Sequence, residues 1–194
     1  MYLCLCIKDN LMPSFFQLMQ RGFMVKIRVG CSIKSLLCNQ LGLSQEYLEE
    51  RIQTILLDGR PVDDVESAIV KQESTLALSA ALPGLVGATL RKGGYYAPLR
   101  SHISHSETAS SQPIQEGMIS LKLFNLLLDE LGPTFLKKGI WINGRDLADF
   151  LNGQPDDFWS GCKCATVDGK KFELDKLTQI KWPDRHVFLR VKTC

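Results

Sequence analysis

The feature that most constrains the fold is a strict alternation of apolar and charged residues in the first third of the chain. Val25, Ile27 and Val29 alternate with Lys26 and Arg28. This period of two predicts a β-strand with one face in a core and the other in solvent. Because the apolar face has to be covered, the strand also predicts a layered fold built from further elements.

The elements predicted after this strand are short and alternate in type. Ile33, Leu36, Leu37 and Leu41 recur at helical spacing and predict one main helix, which Gly42 ends. A buried strand is predicted at 52–57. It ends at Asp58–Gly59, a pair typical of two-residue hairpin turns. Val62 and residues 76–78 predict further strands. This order indicates an α+β domain in which a mixed sheet wraps one helix.

Three short segments resemble ubiquitin-like (β-grasp) proteins. KQESTLALS at 71–79 resembles the last strand of ubiquitin, LRKGG at 90–94 resembles its tail, and LLDGRPVDD at 56–64 stands where ubiquitin has its third strand and the following turn. The resemblance covers residues 24–94 and implies a β-grasp mixed sheet with one main helix. In ubiquitin-like modifiers and sulfur carriers the diglycine is terminal, because its carboxylate is adenylated and enters a narrow partner channel. Here the chain continues beyond Gly94 to residue 194.

Changes in composition divide the chain into four parts. Residues 1–23 are interpreted as an N-terminal extension. Either translation starts at Met24, since codons for residues 19–22 can resemble a bacterial ribosome-binding site, or the extension is a short amphipathic helix. Residues 24–100 are the β-grasp-like domain. The polar, serine-rich residues 101–117 are a linker, and residues 118–194 are a second small α+β domain.

A local similarity indicates that the second domain is a divergent repeat of the first. NGRDLAD at 143–149 resembles DGRPVDD at 58–64, and a Leu-Gly helix end precedes each copy. The alternative is chance, because turns favour Asp-Gly and Asn-Gly by themselves. A further hairpin is predicted around Asp168 and Gly169, with a last strand at 186–192.

Charge, hydropathy and cysteine content limit the partners and the compartment. The net charge is only +2, which disfavours nucleic acid as a partner of the whole chain. No apolar run is long enough to span a membrane. Seven cysteines at irregular spacing do not form a disulfide framework and indicate a reducing compartment. We therefore expect a bacterial cytoplasmic protein.

One glycine-rich stretch combines cations, aromatic rings and a freely turning backbone. The candidate ligand-binding residues are Arg91, Lys92, Gly93, Gly94, Tyr95, Tyr96 and Arg100. Glycine amides and these cations could surround a phosphate or carboxylate. The alternative is structural, with glycines allowing turns and tyrosines packing across them. No P-loop or GxGxxG pattern is present in the sequence.

Two other groups of residues could bind a metal ion. His102, His105 and Glu107 in HISHSE could bind zinc, or could be solvated side chains of a linker. Cys162 and Cys164 could form a thiolate pair. Alternatively, both are core residues, because residues two apart on a strand share a face. We predict the structural role for both groups, and therefore no metal site and no cofactor.

No set of catalytic residues is identified. Asp63, Asp64 and Asp149 lie near turns, where carboxylates are commonly solvated or capping. The sequence therefore favours a non-enzymatic β-grasp module that binds a partner protein or a small anionic ligand. One alternative is a ubiquitin-like or sulfur-carrier precursor processed after Gly94. The other is a metal-dependent enzyme that uses the HISHSE segment.

Overall fold

The computed structural model describes residues 1–100, 102–105 and 113–194. Twelve strands are present among these residues: β1 Tyr2–Ile7, β2 Phe23–Val29, β3 Cys31–Ser32, β4 Thr54–Leu57, β5 Arg60–Pro61, β6 Ile69–Val70, β7 Thr75–Ser79, β8 Gln115–Phe124, β9 Ile140–Asn143, β10 Cys162–Val167, β11 Lys170–Phe172 and β12 His186–Thr193. The α-helices are α1 Phe16–Gln20, α2 Gly84–Leu90, α3 Leu126–Lys138, α4 Gly144–Asn152 and α5 Asp156–Gly161. Shorter helical segments of 3-10 or π type lie at Asp9–Phe15, Ser35–Gln40, Tyr47–Arg51, Ala97–Arg100 and Leu174–Gln179.

The expected α+β class is confirmed, but the chain divides differently from the expected domains. Unit 1 comprises Met1–Phe23 together with Leu128–Cys194, and unit 2 comprises Met24–Leu127. The first 23 residues, which we expected to be an extension, therefore belong with the C-terminal part of the chain. Strand β8, which includes the residues expected to open the second domain, lies in unit 2.

The sheet of unit 2 follows from the alternation seen in the sequence. Its strand order is β2-β8-β7-β4-β5. Strand β8 is parallel to β7, and β4 is antiparallel to both β7 and β5. The alternate residues of β2 and β8, such as Ile27 and Leu121, are buried in the core. The predicted main helix is present, with Leu36 and Leu37 fully buried.

The sheet of unit 1 is completed by the N-terminus. Its order is β11-β10-β1-β12-β9, so β1 lies between two strands from the end of the chain. Strand β1 is antiparallel to β10 and parallel to β12. Leu3, Leu5 and Ile7 are fully buried, because the period of two directs them into the core.

The two sheets share one layout, although their sequences differ. In each, a parallel pair (β7 with β8, or β1 with β12) adjoins an antiparallel hairpin (β4 with β5, or β10 with β11). The hairpin turns also match. Asp58 and Asp168 have φ of 51° and 49°, and the glycines that follow have φ of 78° and 80°, as two-residue hairpin turns require.

The turn aspartates bind the neighbouring strand in the same way. The backbone N–H of Asp58 donates to the carbonyl of Thr75 at 2.9 Å, and its Oδ1 accepts from the N–H of Thr75 at 2.7 Å. Asp168 makes the same two bonds with Tyr2, at 2.9 and 2.8 Å. Each aspartate thus sets the register between its hairpin and the next strand.

The similarity between 143–149 and 58–64 does not mark equivalent structures. Asn143 caps α4, with its side-chain oxygen accepting from the N–H of Arg145 at 2.8 Å, and Gly144 begins the helix. The hairpin turn of unit 1 is instead at Asp168–Gly169. Our alignment was wrong because Asn-Gly suits a helix start as well as a hairpin turn.

Candidate functional site

The stretch that the sequence singled out folds against the hairpin of unit 2. We call it segment 84–105, of which all residues but Ser101 are described. Helix α2 follows Pro83 and packs against the 3-10 helix Ala97–Arg100. At Gly87 an added Cβ would lie 1.7 Å from the carbonyl oxygen of Leu82, so only glycine fits this contact.

The buried side chain of Arg100 holds segment 84–105 together through hydrogen bonds. Only 3% of the residue is exposed. Its Nε donates to the carbonyl of Thr89 at 2.7 Å, Nη1 donates to Ser104 Oγ at 2.7 Å, and Nη2 donates to the carbonyl of Arg91 at 3.1 Å. These contacts use planar donors that a lysine does not have.

The carboxylate of Asp63 completes this arrangement. It accepts from Nη1 and Nη2 of Arg100 at 2.9 and 2.7 Å, a bidentate ion pair. Asp63 Oδ1 also accepts the backbone N–H of Gly93 at 2.8 Å. The cation and glycine amide that we expected to hold an external anion therefore hold a carboxylate of the same chain.

Lys92 is also engaged within unit 2. Its backbone N–H donates to the carbonyl of Gln53 at 2.7 Å, and its Nζ donates to the carbonyl of Leu48 at 2.8 Å. Burial lowers the pKa of the Lys92 ammonium. The ammonium therefore anchors the turn and is not displayed to solvent as a free surface cation.

The diglycine forms part of a compact turn. Gly93 has φ of 59°. The N–H of Gly94 donates to the carbonyl of Arg91 at 3.1 Å, and the carbonyl of Gly94 accepts from Ala97 at 2.9 Å. An extended tail of the kind that enters a partner channel would have to break these contacts.

The remaining expected site residues are exposed. Tyr95 has 90% of its surface exposed, Tyr96 is in edge contact with it at 5.1 Å between ring centroids, and Arg91 is also exposed. Further exposed apolar side chains on the same segment were missed by the sequence analysis: Leu85, Val86, Leu99 and Ile103. The only sign of their exposure in the sequence is that they fit neither the periodicity of a helix nor that of a strand.

The positions of the described histidines and carboxylates do not support a metal site or a catalytic role. His102 is exposed, and the backbone N–H of His105 donates to the carbonyl of Pro61 at 2.8 Å. Glu107 lies outside the described residues. Within residues 1–100, 102–105 and 113–194, no group of three or more His, Cys, Asp or Glu side chains is placed to hold a metal ion. Asp64 Oδ1 accepts the N–H of Glu66 at 2.8 Å, a bond that lowers the pKa of Asp64.

The two neighbouring cysteines do not share a face. The register between β1 and β10 shifts so that Cys6 lies opposite Cys164 while Ile7 lies opposite Cys162. Cys162 is consequently buried and Cys164 exposed. Our expectation of two core cysteines was wrong for Cys164, because a bulge removes the period of two on which it depended.

Alkylation should distinguish these thiols. Burial raises the pKa of Cys162 to about 11, and the thiolate is the reactive form, so at pH 8 only about one Cys162 in a thousand is reactive. We expect iodoacetamide to modify Cys164 in the folded protein and to leave Cys162 unmodified, as measured by peptide mass spectrometry. Both should react in urea. Equal rates in the folded protein would contradict the bulge.

A disulfide joins Cys6 to Cys194, with 6.0 Å between their Cα atoms. No local sequence pattern predicts this disulfide, because the two residues are 188 positions apart. Five other cysteines are free. The cytoplasmic location thus stays a prediction.

Comparisons with family models, curated proteins and solved structures find no match to this chain. Among the described residues, no helix combines the length and the apolar character needed to cross a membrane.

Proposed function

We propose that the protein is a non-enzymatic binding module, of β-grasp type in unit 2, that uses segment 84–105 to bind a partner protein. The observation that carries this proposal is the contrast between the two sides of the segment. The guanidinium of Arg100 and the amide of Gly93 are bonded to Asp63, whereas several large apolar side chains of the segment are exposed: Leu85, Val86, Leu99 and Ile103. Exposed apolar side chains concentrated on one segment are typical of protein interaction sites.

The inward contacts make the segment suitable for binding. Arg100 is buried and bonded on all three of its nitrogens, so the backbone between Thr89 and Ser104 is tied at several points. A surface already ordered before binding loses less conformational entropy when a partner docks. Leu99, with 76% of its surface exposed, is the most exposed aliphatic side chain of the segment and can become buried against a partner.

The same contacts favour a protein over a small anion as the ligand. Arg100, Lys92 and the amide of Gly93 already have partners within unit 2. An external phosphate would have to displace the carboxylate of Asp63 from a bidentate ion pair. The processed carrier is likewise less favoured, because the diglycine is held in a turn.

The β-grasp part of the proposal is supported by the mixed sheet and by the helical segment that follows β2. The observed order departs from a domain that closes at residue 94, because β8, at Gln115–Phe124, lies between β2 and β7. The unit therefore needs residues beyond the diglycine to complete its sheet, which also supports a module that is not cleaved there.

A charge on the exposed apolar surface should abolish partner binding. We expect Leu99→Asp to reduce retention of the partner at least tenfold, since a carboxylate cannot be buried without a counter-charge. Wild-type and variant full-length chains are immobilised, and proteins retained from the source lysate are quantified by mass spectrometry. Ile114→Asp is the matched control, because Ile114 is also exposed but lies outside the segment. The proposed surface is wrong if every protein retained by wild type and by Ile114→Asp is retained equally well by Leu99→Asp.

A further inference from the structure

The sheet of unit 1 has one face in the core and an opposite face that the end of α3 and Gly139 contact at Arg190 and Phe188. Leu3, Leu5, Val187 and Leu189 point into the core. The alternate residues therefore point outward, and the register aligns them in rows: Tyr2 beside Phe188, Cys4 beside Arg190, and Cys6 beside Lys192. We call this surface the outer face of unit 1.

Three aromatic rings cluster at one end of the outer face. The ring centroids of Tyr2 and Phe188 are 5.4 Å apart, those of Tyr2 and Trp141 5.6 Å, and those of Trp141 and Phe188 5.3 Å. The rings meet at angles between 54° and 65°, so they do not cover one another by stacking face to face. Tyr2 has 52% of its surface exposed. Because Gly139 packs against the ring of Phe188, the aromatic surface that a planar ligand can reach here is chiefly that of Tyr2.

The strand side chains on this face carry charge of one sign, and the turn carboxylate of Asp168 accepts from the backbone N–H of Tyr2 at its edge. Arg190 is exposed two residues from Phe188, Lys192 is exposed further along β12, and Lys171 is directed to the same face by its register with Thr166. The five strands of this sheet contain no Asp or Glu residue at all. The nearly neutral chain thus separates its charges, with the carboxylates of unit 1 confined to helices and loops.

Arg190 is also held in position. Its Nε donates to the carbonyl of Lys137 at 2.9 Å, at the end of α3. This contact leaves the two terminal nitrogens of an exposed guanidinium available to a ligand on the outer face. Such a planar, oriented donor suits a phosphate group.

We propose that the outer face of unit 1 binds single-stranded nucleic acid, with bases on the aromatic cluster and phosphates on Lys171, Arg190 and Lys192. Rings that accept bases beside cations that accept phosphates are the combination that single strands require. From Phe188 to Lys192 the face extends about 13 Å at the usual rise of a strand, which accommodates a few nucleotides. An acidic peptide would match the charge but has no use for the ring surfaces. This site is separate in sequence from segment 84–105 and does not depend on it.

The test uses the full-length protein and fluorescein-labelled dT10 and rU10, with binding followed by fluorescence anisotropy. Three phosphate contacts on a single strand predict that affinity falls roughly 20-fold between 50 and 200 mM salt. Tyr2→Ala should weaken binding at least fivefold because one stacking surface is lost. Tyr2→Phe keeps the ring and should bind as wild type does. Lys192→Gln should reduce the salt dependence.

Phe124→Ala is the matched control, because Phe124 is an exposed aromatic residue of unit 2 that lies outside segment 84–105. It should leave oligonucleotide binding unchanged. The proposal is overturned if dT10 and rU10 do not bind, or if Tyr2→Ala binds as tightly as Tyr2→Phe. Equal affinity for double-stranded DNA or for polyglutamate would also overturn it, since either result would mean that charge alone is recognised. None of these outcomes depends on the partner surface around Leu99.

Discussion

Deletion of residues 1–23 is expected to unfold residues 128–194. The deletion removes β1 from between β10 and β12 and withdraws five fully buried side chains from the core of unit 1: Leu3, Leu5, Ile7, Phe15 and Met19. Each buried side chain of this size contributes about 1.5–3 kcal/mol. Their sum is comparable with the whole free energy of unfolding of a typical domain, roughly 5–15 kcal/mol.

Amide hydrogen exchange of the shortened chain is the measurement for this prediction. We expect protection to be lost throughout β10 and β12, because both strands lose their central neighbour. A paired point substitution gives a milder control: Leu5→Ala should destabilise the protein by about 2–5 kcal/mol. Cys4→Ala, on the adjacent outward residue, should cost much less. Retained protection of residues 162–167 in the shortened chain would show that β1 is dispensable.

The second large effect is expected at Arg100. Replacing it with alanine should destabilise segment 84–105 by about 3 kcal/mol, because the carbonyls of Thr89 and Arg91 lose a charged donor in a buried position. The figure is moderate because the side chain of Asp63 is 37% exposed and can be solvated. Arg100→Lys should recover little of the loss, since an ammonium cannot reproduce the bidentate contact.

Urea unfolding and hydrogen exchange test this prediction together. Arg145→Ala is the matched control: Arg145 pairs with Asp184 at 2.8 Å, but both side chains are 72% exposed. Such solvent-exposed pairs contribute little to stability. Similar losses of stability for Arg100→Ala and Arg145→Ala would refute the anchoring role of Arg100.

Local patterns in the sequence were sufficient to predict the fold class and most strands of unit 2. The alternation from Val25 to Val29 and the turn at Asp58–Gly59 depend only on neighbouring residues, and both are confirmed. The same kind of alternation occurs at Leu3, Leu5 and Ile7, where it was the available signal for β1. This signal is weak because cysteines occupy outward positions, and cysteine commonly behaves as a small hydrophobe.

Predicting the candidate site would have required long-range contacts, which local sequence patterns do not reveal. Asp63 and Arg100 are 37 residues apart, and nothing in either neighbourhood specifies the other. Of the cations and glycines predicted to bind an anion, Arg100 and Gly93 do so. Their ligand is the carboxylate of Asp63 in the same unit, and this pairing depends on the tertiary fold.

The position of β1 has a consequence for the order of events during synthesis. Tyr2 leaves the ribosome 186 residues before its parallel neighbour in β12, Phe188. Unit 2 is a continuous stretch and can assemble while translation proceeds, but the sheet of unit 1 has to wait until residues 186–193 have been released. Contacts of such long sequence separation form slowly. In that interval β1 lacks both of its neighbouring strands, so its backbone hydrogen-bonding groups are unpaired and its apolar side chains are exposed.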